Sequence, residues 1–104
     1  MKKEELDWQF EDSQNVSVVI DVHASKIKIK LTSWDGKKYV LEFINVTKHA
    51  LKQTQDTPQL DEIHEIYELP SKSLRKFVVV FAGEEELTIE CGKFFYEAIQ
   101  NEQN

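Results

Sequence analysis

Polar and apolar residues alternate through much of the first third of the chain. In VSVVIDVH, Val16, Val18, Ile20 and Val22 share one side and leave Ser17, Val19, Asp21 and His23 on the other. KIKIKLTS is stricter, setting Ile27, Ile29 and Leu31 against Lys26, Lys28, Lys30 and Thr32. A period of two belongs to an antiparallel strand with one face in a core and the other in water. Only Ala24 and Ser25 separate the runs, which predicts a tight hairpin, although neither is the Gly or Asn that such turns favour. Asp35-Gly36 is a stronger turn signal, because glycine readily takes positive φ. A third strand follows from about Lys38 to Val46, rich in aromatic and β-branched residues.

Beyond Val46 the alternation fails. Ala50 and Leu51 fit one helical turn, so a short helix is expected between residues 47 and 60, and Thr57-Pro58 marks a loop or a restart. LDEIHEIYEL reads two ways. As a helix it gathers Leu60, Ile63, Ile66 and Tyr67 on one side, with Thr57-Pro58 at its start. As a strand it aligns Ile63, Tyr67 and Leu69 but also Glu65. Spacing favours the helix slightly, and Pro70 ends the element either way. KFVVVFA has the length and composition of a buried strand. Gly83 with Glu84, Glu85 and Glu86 makes a polar turn before a last strand from Leu87 to about Glu97. In that strand Leu87, Ile89 and Cys91 point one way until Gly92 breaks the pattern. A bulge or bend there decides which of Phe94, Phe95 and Tyr96 faces out. Leu6, Trp8 and Phe10 alternate like a further core strand, while residues 101–104 lack apolar anchors and should fray. The expected fold is a single mostly β domain spanning 1–104. It is an antiparallel sandwich or partly open barrel of five to seven strands with at most one or two short helices.

Composition narrows the functional classes. The chain has 104 residues, 40% of them hydrophobic and 31% charged, as in an ordinary folded domain. No apolar run approaches the roughly 18 residues that span a bilayer, and MKKEELDW lacks the apolar stretch of a secretory signal. A single cysteine fits a reducing compartment, so the expected location is cytoplasmic. A net charge of −6 weighs against nucleic acid or anionic membrane as a partner. The charge is segregated: lysines dominate residues 23–40, whereas 54–70 and 84–104 are strongly acidic.

LDWQFEDSQNVSVVIDV, the Lys/Ile strand, YVLEFINVTKHAL and the closing pair FVVVF and LTIECGKFFYE occur in an order that resembles a group of small bacterial proteins. Some members look like immunity proteins of polymorphic toxin systems. The resemblance covers nearly the whole chain and rests on hydrophobic pattern. It implies a β-rich fold, a strand over 61–69, and no catalytic residues. Many members have His-Asp where this chain has Glu11-Asp12, so no role of that histidine transfers.

The search for chemistry is largely negative. Gly36, Gly83 and Gly92 are isolated, which leaves no phosphate-binding loop. His23, His49 and His64 are scattered and none has a second ligand at metal-site spacing, so no metal or cofactor is expected. Cys91 sits among apolar and acidic neighbours, both of which disfavour the thiolate that a nucleophile requires. Lys26, Lys28 and Lys30, with Trp34 and Tyr39 nearby, could suggest a base-stacking platform. The lone arginine and the strand-edge role of lysines make a structural reading simpler. Trp34 either folds back over the hairpin or stands out as an interface anchor. Together these point away from an enzyme and toward a protein-binding module of immunity type. An acidic surface would meet a basic partner, and the candidate contacts are Trp34, Asp35, Glu62, Glu65 and Glu68. The competing readings are a small-molecule binder, with a pocket among Phe43, Phe77 and Phe81, and a self-associating structural protein.

Overall fold

Period-two patterning builds most of this protein. The computed structural model describes residues 10–54, 56–57 and 59–99. Among these, six strands form: β1 (Gln14–Asp21), β2 (Lys26–Thr32), β3 (Lys38–Lys52), β4 (Ile63–Leu69), β5 (Arg75–Phe81) and β6 (Glu86–Ala98). All pairings are antiparallel and the strand order is β1-β2-β3-β6-β5-β4. The expected strand at Leu6–Phe10 and the tail at 101–104 lie outside the described residues, apart from Phe10, which is buried.

The hairpin turns follow their local chemistry. Between β1 and β2, Ser25 takes φ of 53° and Ala24 N–H donates to the Asp21 carboxylate at 3.0 Å. The β2–β3 turn puts Gly36 at φ of 86°, where a side chain would be strained. Gly36 N–H donates to the Ser33 carbonyl at 2.9 Å, and Ser33 N–H to that of Lys37 at 2.8 Å.

One expectation is corrected and one ambiguity is resolved. No helix occupies the described part of 47–60: β3 runs on to Lys52, paired with β6 throughout its second half. The segment around 61–69, which spacing left between helix and strand, contains strand β4, Ile63–Leu69, as the resemblance implied. In both places a register shift inserts one extra residue, between Val46 and Lys48 in β3 and between Ile63 and Glu65 in β4. Each bulge breaks the alternation, and in β4 it leaves Ile63 and Ile66 buried at a helix-like spacing.

The two long strands, β3 and β6, organise the architecture. Residues 38–44 of β3 pair with β2 on one side and β6 on the other, Val46 N–H still donates to the Ser25 carbonyl at 2.8 Å, and among the described residues 47–52 pair with β6 alone. In mirror fashion β6 pairs with β5 only through 86–91. The changeover falls where Asn45, at φ of 58°, lies beside Gly92; a Cβ on Gly92 would stand 3.3 Å from the Asn45 Cβ. Both strands change face together there. Phe43 opposes Phe94 and Val46 opposes Cys91, and all four side chains pack in or against the core. Strands that bend and pass from one half of a sheet to the other form the corners of folded-over sheets. One half is β1, β2 and the adjoining parts of β3 and β6; the other is β4, β5 and the remaining parts.

The core fills the space between the halves. Ile27, Ile29, Leu31, Leu41 and Phe43 come from the first, and Ile63, Ile66, Phe77, Val79, Phe81, Leu87, Ile89 and Cys91 from the second. Phe43, Phe77 and Phe94 meet with ring centroids 4.6 to 5.3 Å apart, a spacing favoured by aromatic pairs. Along the outer edges Ser13 bridges Ile63, with Ile63 N–H donating to the Ser13 carbonyl at 2.8 Å and Val16 N–H to that of Asp61 at 3.0 Å. This short seam brings β1 to β4 and makes the sheet a partly open barrel.

Candidate functional site

Two acid-rich segments distant in sequence meet at one end of the molecule. The Thr54 hydroxyl donates to the Gly83 carbonyl at 3.0 Å, and Ala82 N–H donates to the Glu62 carbonyl at 3.0 Å. These bonds tie the β3–β4 connection to the β5–β6 turn. The turn closes with Glu84 N–H on the Phe81 carbonyl at 2.8 Å, and Glu84 takes φ of 74°. Asp56, Asp61, Glu62 and Glu84 are exposed there, while Glu85 is buried. Glu65 and Glu86 flank Val80 on the adjoining exterior face, with Lys52 opposite Glu86. Close by, burial and, after it, the charges of Glu86 and Glu65 push the Tyr67 phenol above its ordinary range. Asp12 stands 3.9 Å from His64 on the neighbouring rim.

The residues singled out in the sequence divide among three places. Glu62 and Glu65 belong to the acidic end. Glu68 turns inward opposite Phe77 and holds Arg75 through two hydrogen bonds, at 2.9 and 3.0 Å. The Arg75 guanidinium lies over the Phe77 and Phe94 rings, 5.2 and 5.7 Å from their centroids. Such a bidentate pair orders the mouth of the core and takes the Glu68 carboxylate out of the acidic surface. Trp34 and Asp35 lie in the β2–β3 turn, in the other half of the sheet. Trp34 is 53% exposed. The Asp35 carboxylate accepts from the Ser33 hydroxyl and from Lys37 N–H, which lowers its pKa and fixes the turn. What the sequence could not reveal is the contribution of Thr54, Gly83 and Ala82, which join the acidic segments through backbone and hydroxyl contacts alone.

Cys91 is fully buried, and burial pushes its thiol up to about 11, with Arg75 opposing that rise only partly. Among the described residues no group of His, Cys, Asp and Glu side chains is placed to hold a metal ion. Phe43, Phe77 and Phe81 pack in the core and line none of the surface hollows described next. A groove of ≈ 240 Å³ runs between the β1–β2 turn and the far half of β3, lined by Ile20, Val22, Val46 and His49 among others. A second, of ≈ 290 Å³, lies on the exterior face beside Phe95, and a third, of ≈ 220 Å³, beside Asp12 and His64.

No protein-family model and no curated protein sequence matches the chain. Among solved structures, an uncharacterised protein from Neisseria gonorrhoeae is similar, with a TM-score of 0.62 and 11% identity. The match covers 86% of this chain and 94% of that one. At that identity the likeness is one of fold.

Proposed function

We propose that this chain is a non-enzymatic protein-binding module that docks a basic partner through its acidic end. The observation that carries the reading is the convergence of Asp56, Asp61 and Glu62 with Glu84, fastened by the Thr54–Gly83 and Ala82–Glu62 hydrogen bonds. Charges gathered on a rigid end of a β-fold steer an oppositely charged partner and raise its association rate. The half-exposed Trp34 in the β2–β3 turn supplies a second, apolar contact, since tryptophan often dominates interface energetics. The sequence-level resemblance to toxin-immunity proteins supports an immunity role, in which a basic toxin domain is blocked sterically.

The test is direct titration with the product of the neighbouring reading frame. The wild-type chain is compared with the triple variant Asp61→Lys/Glu62→Lys/Glu84→Lys. The association rate is expected to fall at least about tenfold in the variant and to lose most of its salt dependence. Equal rates and equal salt dependence would remove the acidic end from the interface. A separate Trp34→Ala variant tests the apolar contact through its dissociation rate.

A further inference from the structure

Among the described residues, the second half of β6 has no strand along one edge. Residues 86–91 have β5 beside them, but from Gly92 to Ala98 β6 pairs only with β3 among the described residues. An unpaired edge offers a row of backbone donors and acceptors to another strand. The exterior face of this edge reads Lys93, Phe95, Glu97, and its interior face reads Phe94, Tyr96. Phe95 is 57% exposed and Tyr96 44%, high values for aromatic residues in a strand. Lys93 and Glu97 are exposed as well. Neither forms an ion pair with the described residues, whereas Lys26 and Lys28 lie near Glu42, and Lys76 near Glu90.

We propose that this edge pairs with the same edge of a second copy, antiparallel and centred on Phe95. The segment Lys93-Phe94-Phe95-Tyr96-Glu97 reads as its own complement when reversed. About a two-fold axis through Phe95, Lys93 of each copy meets Glu97 of the other, and the two Phe95 rings meet each other. On the interior face Phe94 of each copy meets Tyr96 of the other. An isologous interface must be self-complementary in this way, and opposite charges and aromatic pairs are the cross-strand neighbours that stabilise antiparallel pairing. The arrangement joins the β1–β2–β3–β6 half of each copy into one continuous sheet.

The other long edge gives the contrasting case. Among the described residues, 47–52 of β3 also pair with no strand beyond β6. A two-fold axis through Ala50 would set Lys48 against Lys52 of the second copy. Like charges directly opposite oppose that pairing, so lysine guards one edge and the Lys93/Glu97 pattern leaves the other selective for itself.

Sedimentation of the full chain over a wide concentration range tests this without any partner. The wild type is expected to dimerise reversibly. Lys93→Glu and Glu97→Lys should each raise the dissociation constant about tenfold, because each replaces two attractive pairs by repulsive ones. The exchange Lys93→Glu/Glu97→Lys should restore the wild-type constant. These positions are exposed, and circular dichroism of each variant confirms that the fold is kept. A monomer at every concentration would overturn the proposal. So would a dimer unmoved by the single variants, or single-variant losses that the exchange fails to restore.

Discussion

Asn45 holds a backbone conformation that side chains disfavour, and it does so beside a residue with none. At φ of 58° an ordinary L-residue is strained, and Asn is among the few that tolerate it. Asn45→Ala should therefore cost about 1–2 kcal/mol in urea unfolding, and Asn45→Gly much less. Gly92 has no Cβ because one would press on the Asn45 side chain at 3.3 Å. Gly92→Ala should destabilise alone and do so less in an Asn45→Gly background, which a double-mutant cycle measures. Cys91, opposite Val46 just past that corner, is predicted to react slowly with a thiol reagent at neutral pH until the protein unfolds. Its proton is held more tightly folded than unfolded, about 11 against an ordinary 9.0. The stability tied to it is intact below about 9 and is lost as pH rises through about 11. Comparing alkaline unfolding of the wild type with Cys91→Ala isolates this part, and equal slopes would show that the thiol contributes nothing.

Strands with unbroken alternation were legible from the sequence: β2 and the paired length of β1 appear where the pattern puts them, and β5 has the composition of its burial. Misread segments are those in which a bulge offsets one strand from its neighbour. Ile63 and Ile66 are both buried because the extra residue His64 lies between them, and three residues is also nearly one helical turn. The same bulge turned Glu68 inward to Arg75, so its role could not be separated from that of Glu65 by spacing alone. The acidic end was half legible. Its two segments stand out by composition, but their meeting depends on pairings between residues far apart in the chain. The seam between β1 and β4 is short by comparison with the β3–β6 ladder, which runs from Tyr39 to Lys52. In native-state hydrogen exchange the amides of Val16 and Ile63 should exchange well before that of Phe43. Similar protection at all three would mean that the barrel opens only as a whole.

At the scale of the whole molecule, the proposed partner surface and the proposed dimer edge lie apart. The acidic end lies on the β4–β5 side, and the open β6 edge on the other half of the sheet. A dimer through β6 would thus leave two acidic ends available at once, and a repetitive or paired partner would gain from simultaneous engagement. The order β1-β2-β3-β6-β5-β4 also has a kinetic meaning. Each trio, β1 to β3 and β4 to β6, is a meander whose hairpins can form from neighbouring residues. Joining them requires β3 to find β6 across the intervening chain, and only then can Ser13 reach Ile63. Non-local pairings of this kind set the folding rate of β-proteins. The bend at Asn45 and Gly92, which reads in the finished structure as a corner, is therefore also the place where two locally formed halves must find each other's register.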